Sequence, residues 1–223
     1  MIPIRDTVRS ARFPVITVSL IAANVAVFIF ELSLGQKLED FTTAWGMSPA
    51  AIHVDLMRHH YAAAAAPFFS SMFLHGGWIH LLGNMLYLWV FGDNVEDKLG
   101  HQRFLFLYIF CGITGGVAHA YMNPGSAIPV IGASGAIAGI LGGYLLLFPK
   151  ARILTLVPII FFFTFIELPA LLFLGVWFLM QFFSGYLSLA SDVAVNNGDV
   201  AWWAHVGGFA TGMLFVYPLR KYR

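Results

Sequence analysis

Apolar residues in this chain run together in long blocks, separated by shorter polar connections, and the blocks have the length of membrane-crossing helices. About 30 Å of hydrocarbon takes roughly 20 helical residues. The first block covers 13–34, with Pro14 suited to a first helical turn. Others follow at 78–92, 104–121, 134–148 and 202–219. Basic residues precede the first block as in a signal peptide, but no small-residue cleavage site follows it, so it reads as a retained anchor.

One stretch does not resolve by length alone. Residues 153–190 carry Glu167 as their only charge, and as one straight helix they would reach about 57 Å. Pro158 and Pro169 break such a helix. Two spans would fit, as would one span preceded by an apolar segment lying along the membrane. The distribution of basic residues decides between them. With one crossing at 168–190, one side holds Arg5, Arg9, Arg12, Lys98, Arg103, Lys150, Arg152, Arg220, Lys221 and Arg223, and the other holds Lys37 and Arg58. That split of 10 against 2 accounts for all 12 Lys and Arg, whereas seven spans would give 7 against 5. The expectation is an all-α bundle of six spans, a single membrane domain over 1–223, with both termini cytoplasmic.

Composition agrees. The chain is 59% hydrophobic and 10% charged, against about 25% charged in an ordinary soluble domain. A net charge of +1 with no basic tract argues against nucleic acid as a partner. The single cysteine, Cys111, rules out a disulfide framework or a cysteine-based metal site.

Orientation brings certain polar residues to one depth. Spans two, four and six run from outside to inside, so His80, Asn84, Ser134 and His205 all lie near their outer ends. Polar groups in a membrane are costly unless they pair or line a water-filled cavity, so a convergent set is a functional-site hypothesis. Span four is only about 22 Å of helix, which sinks Ser134 about 8 Å below the outer boundary. Gly135 and Gly139 on span four, and Gly208 and Gly212 on span six, have the small-xxx-small spacing that lets helices approach closely. If those faces meet, Ser134 and His205 come within hydrogen-bonding reach.

A serine hydroxyl needs a base to take its proton, and histidine has a suitable pKa. The oxyanion formed on attack needs preorganised donors. Ser134 offers its own N–H at the positive end of a helix, and His80 and Asn84, four apart on one helix face, add side-chain donors. No carboxylate is expected to complete a triad; Asp192 and Asp199 sit in the loop before span six. His119 reads as structural, and His53, His59, His60 and His101 sit in polar segments. Glu167 reads as a boundary carboxylate, and the phenylalanines at 161–163 as lipid-facing or buried anchoring surface.

The motifs resemble those of the rhomboid family of intramembrane serine proteases. HGGWIHLLGN holds two histidines and an asparagine as His75, His80 and Asn84. IGASG holds a GxSG motif from Gly132 to Gly135 around Ser134, and AHVGGFATG matches AHxxGxxxG with His205. The resemblance implies a rhomboid-like bundle that hydrolyses a peptide bond in or near the transmembrane helix of a membrane-protein substrate, without metal or cofactor. Ser134 and His205 would form the dyad, with His75, Gly132 and Gly135 in support. The fifth helix, with Trp177, Phe178 and Phe182, would act as a lateral gate, and the loop 191–201 as a cap. Two features depart from the family pattern. The first outer loop reads PFFSSMFLHGG and lacks a Trp-Arg pair, and Ala138 stands where some relatives carry a tyrosine that supports the catalytic histidine.

Other functions fit less well. There is no HExxH of a zinc protease and no Gly-x-Gly-Asp of an aspartyl one. A small transporter would predict internal repeats, and the halves show none. A non-catalytic relative that binds membrane proteins typically loses the serine or histidine kept here. Short termini suggest a prokaryotic plasma-membrane enzyme.

Overall fold

The computed structural model of the protein describes residues 1–159, 162–190 and 200–221. In chain order its elements are β1 (Ile2–Asp6), α1 (Val15–Ser33), three short helices α2 (Leu38–Trp45), α3 (Pro49–Met57) and α4 (Tyr61–Ser70), then α5 (Trp78–Leu99), α6 (His101–Met122), α7 (Ser134–Leu147), β2 (Arg152–Ile159), β3 (Phe162–Pro169), α8 (Ala170–Ala190) and α9 (Trp202–Val216). Three helices, at Val15–Ser33, His101–Met122 and Ala170–Leu189, are long and apolar enough to cross a membrane. α7 is a shorter apolar helix.

α7 is the centre. Its residues are buried without interruption from Gly135 to Tyr144, as expected of a helix that is apolar all round. It runs parallel to α9 in contact so close that side chains are excluded. A Cβ on Gly208 would stand 2.0 Å from the Gly135 carbonyl oxygen, and one on Gly212 would stand 1.9 Å from that of Gly139. Phe91, Tyr108, Tyr144 and Phe173, from α5, α6, α7 and α8, are among the largest buried side chains of the core.

α5 continues beyond the apolar block ending at 92, through Asp93, Asn94, Glu96 and Asp97, because these groups have partners in the N-terminal segment. Asp93 accepts from Ser10 Oγ at 3.0 Å, and Asp97 accepts from the N–H groups of Ala11 and Arg12 at 3.0 and 3.2 Å. Glu96 accepts from the N–H groups of Ile16 and Thr17 at 2.8 and 2.7 Å. It thereby satisfies first-turn donors of α1 that no intrahelical carbonyl can reach.

The expected all-α fold needs correction. The apolar stretch after α7 is a β-hairpin, with Arg152 opposite Pro169 and Ile159 opposite Phe162, and β1 pairs antiparallel with β2 to make a three-stranded sheet ordered β1-β2-β3. The residues explain it. Ile153, Thr155, Val157, Thr164, Phe165 and Ile166 are β-branched or aromatic, and Ile153 and Thr155 are buried at the two-residue period of a strand. Pro158 lies past the last β1 pairing, where a missing N–H is tolerated. Glu167 pairs across the hairpin with Arg152, at 3.4 Å. Phe162 and Phe163 are exposed, and Phe161 lies outside the described residues.

The first loop, lacking a Trp-Arg pair, is fixed by other means. Ser48 caps α3 by accepting from Ala51 N–H. Met47 and Val130 exchange backbone hydrogen bonds at 2.9 Å, and Gly132 N–H donates to the Ser71 carbonyl at 2.8 Å. These bonds tie the loop to the segment that leads into α7.

Candidate active site

Ser134 is the first residue of α7, with Ala133 as its N-cap. Gly132, two residues earlier, has φ of 123°, a conformation L side chains rarely adopt, and a Cβ there would stand 2.6 Å from His80 Nε2. The turn that presents Ser134 therefore needs glycine on both counts. His205 lies in the first turns of α9, buried, one turn before Gly208. Because Gly208 packs on Gly135, the residues flanking that contact are brought together: Ser134 Oγ is 2.7 Å from His205 Nε2. The other ring nitrogen, Nδ1, is 2.7 Å from Oε1 of Gln181 on α8.

His80 and Asn84 face the same space from α5. Gly76 N–H donates to His80 Nδ1 at 3.4 Å, so the proton of the neutral ring sits on Nε2, beside Gly132. Asn84 Nδ2 is 3.0 Å from His75 Nε2, and His75 Nδ1 is 3.3 Å from the Phe73 carbonyl. His75 thus takes one amide hydrogen of Asn84 and leaves the second free to point elsewhere. The backbone N–H of His75 donates to the buried Glu31 carboxylate of α1, at 3.2 and 3.3 Å. Gly135 lies against Ala204, where a Cβ would stand 3.5 Å from the carbonyl oxygen.

These groups border a cavity of about 960 Å³ between α5 and α8, with Ile79, Gly83 and Tyr87 on one wall and Trp177 and Gln181 on the other. The N–H groups of the first turn of α7 have no intrahelical partner and carry the positive end of the helix dipole. The arrangement therefore sets a hydroxyl, an imidazole and several N–H donors around one space. His119 also borders the cavity, and its Nδ1 is buried without a hydrogen-bond partner. Among the described residues no three His, Cys, Asp or Glu side chains group as metal ligands.

Some expectations fall elsewhere. Asp192, Asp199 and most of the proposed cap, residues 191–199, lie outside the described residues, while Val200 and Ala201 border the cavity. Two residues of the site were not anticipated. Gln181 is the only amide in α8, and Glu31 is the only charge in α1. An intramembrane polar residue demands a partner, and that was the signal available for both.

A family model described as "Rhomboid domain" matches residues 62–222. The chain is 30% identical over 170 residues to the mitochondrial Rhomboid protein 1 of Saccharomyces cerevisiae, covering 74% of this chain and 45% of that protein. It is 33% identical over 133 residues to Rhomboid protease GluP of Bacillus subtilis, covering 59% and 24% respectively. With Rhomboid protease GlpG of Klebsiella pneumoniae it shares 25% identity over 206 residues, covering 90% and 62%. The chain thus spans less than two thirds of the length of each. Since the family model covers well over half of the sequence, the chain belongs to the rhomboid family.

Proposed function

We propose that the protein is an intramembrane serine endopeptidase that cleaves a peptide bond in or near a substrate's transmembrane helix, with Ser134 as nucleophile and His205 as base. One observation carries this: a serine hydroxyl at a helix N-terminus 2.7 Å from a buried imidazole, on the wall of a cavity large enough for an extended peptide segment.

The chemistry follows from the geometry. Nε2 of His205 takes the Ser134 proton as Oγ attacks the scissile carbonyl carbon. The carbonyl oxygen becomes an oxyanion, stabilised by the N–H of Ser134, Nε2–H of His80 and the free amide hydrogen of Asn84. The C–N bond breaks as Nε2–H protonates the leaving nitrogen, giving an acyl-serine and a free amine. Water then attacks the ester, His205 again takes and returns the proton, and Ser134 is restored with release of the carboxylic acid.

The whole chain acts as one membrane domain in this reading, with six crossings and both ends cytoplasmic. Support comes from how the basic residues are grouped. β1 pairs with β2, and the residues before α1 bond the C-terminal end of α5. α9 ends beside the end of α7, where Gly143 meets Val216. Arg5, Arg9, Arg12, Lys98, Arg103, Lys150, Arg152, Arg220 and Lys221 therefore share one end of the bundle, while Lys37 and Arg58 belong to the loop at the other. An excess of Lys and Arg marks the cytoplasmic side. The bacterial plasma membrane is our proposed location, to be checked by fractionation of the native host.

The test is labelling by a fluorescent fluorophosphonate in proteoliposomes, together with cleavage of a transmembrane substrate. Wild type should label and cleave, and Ser134→Ala and His205→Ala should each do neither while still inserting. Cleavage by Ser134→Ala at the wild-type rate would overturn the proposal.

A further inference from the structure

Resting on the protease reading above, we infer that Gln181 of α8 is the positioning residue of His205, holding the base in its reactive tautomer and orientation in place of a carboxylate. His205 makes two ring hydrogen bonds, each 2.7 Å long. The partner of Nδ1 is an amide oxygen, which can only accept, so Nδ1 carries the proton and the lone pair is on Nε2, facing the Ser134 hydroxyl. A neutral histidine with the opposite tautomer would present N–H to the serine and could not take its proton. The second ring bond thus selects the tautomer in which the first is useful.

No other side chain among the described residues is recorded at Nδ1. Position 138, one turn after Ser134, is an alanine and fully buried, so α7 offers nothing to hold the ring. The support comes from α8 instead, and from two residues one turn apart on it. The Trp177 ring lies 5.8 Å from the imidazole, tilted by 35°, and Gln181 follows four residues later on the same face. Trp202 meets the imidazole edge-on at 6.3 Å. Gln181 is itself only 6% exposed, so little of its side chain is open to solvent. α8 is seated on α9 through Phe178 against Phe209, at 4.7 Å between ring centres, and Phe182 against Trp203. Among the described residues, the other titratable groups bordering the cavity are His80 and Tyr87 on α5 and His119 on α6.

The experiment compares wild type, Gln181→Leu and Gln181→Glu in proteoliposomes. It measures kcat and KM on a transmembrane substrate, the labelling rate with a small fluorophosphonate, and the pH dependence of kcat. Gln181→Leu should lower kcat about 10- to 100-fold with KM changed less than about twofold, the scale expected of a misoriented group. Labelling by the small probe should fall by a similar factor, because the defect lies in the base and not in passage of substrate past α8. Gln181→Glu should recover most of the rate and move the acidic limb of the kcat profile to higher pH, since a carboxylate at Nδ1 favours the imidazolium. Wild-type kcat and labelling in Gln181→Leu would overturn the inference. So would equal impairment of both variants with no shift of the limb, or slowed cleavage with labelling intact. A wild type that neither labels nor cleaves would instead defeat the protease reading itself.

Discussion

The two sides of α7 are built in different ways. Toward α9 the contact is backbone on backbone: Gly208, Gly212 and Gly142 have no room for even a methyl group. Toward α5 and α8 the helix faces a cavity of about 960 Å³, and Gly83 on the far wall has nothing within 4 Å of where its Cβ would be. The glycine seam can tolerate little relative movement, because each helix stops on the other's carbonyl oxygens. The open side is held by side chains, which can repack. In the proposed mechanism the reacting pair sits across the rigid seam and the space for substrate lies on the adaptable side, so the 2.7 Å hydrogen bond can persist while a peptide comes and goes.

The comparison can be broken most forcefully at the seam. Gly208→Leu should force α7 and α9 apart, destabilising the protein by about 3 kcal/mol or more and abolishing fluorophosphonate labelling; thermal unfolding in detergent and gel fluorescence read the two effects. Gly208→Ala should do the same on a smaller scale, about 1–3 kcal/mol. If Gly208→Leu labels as well as wild type, the seam does not set the Ser134–His205 distance.

The open side should respond in activity and not in stability. Asn84→Ala should lower kcat about 10- to 100-fold, short of the full effect of losing a sole oxyanion donor because Ser134 N–H and His80 remain. Gly83→Ala should leave the unfolding midpoint unchanged or raise it, an alanine being about 1 kcal/mol better in a helix. It should also leave labelling by a small probe intact while changing KM for a transmembrane substrate. An unfolding midpoint lowered as far as that of Gly208→Ala would erase the distinction between the two sides.

The smallest effect lies at the other end of the bundle. Asp6 accepts hydrogen bonds from Tyr144 of α7 and from Asn94 of α5. Burial pushes its carboxyl up to about 6, opposed by the Tyr144 hydrogen bond and reinforced by the neighbouring charge of Asp93. The folded protein therefore holds this proton more tightly than the unfolded chain, so the contribution is present at low pH and lost as pH rises from about 4 through about 6. The unfolding midpoint should rise as pH falls from 7 to 5, and Asp6→Asn should flatten that dependence. An unchanged slope in Asp6→Asn would assign the effect to other groups, Asp93 first.

Much of this was legible in the chain. The helical blocks can be read because lipid-length apolar runs have few alternatives, and Gly135 with Gly139 and Gly208 with Gly212 mark faces capable of close approach. The hairpin was not legible. An apolar run with two prolines fits a broken helix as well as a pair of strands, and β1, whose partner lies about 150 residues away, has no local signal. Gln181 was invisible as a participant for a related reason. An amide in an apolar helix announces that it needs a partner, not which one.

The sequence by itself determined that this chain is a rhomboid-family membrane protein with a serine and a histidine on two glycine-faced helices, because hydropathy, motif and spacing are local properties. Only the tertiary structure decided that the N-terminal strand joins the 152–169 hairpin, that Glu96 of α5 caps α1, and that an amide from α8 meets Nδ1 of His205 where α7 offers only Ala138. Each of these is a hydrogen bond between groups distant in sequence, and such a bond is fixed by which elements pack together.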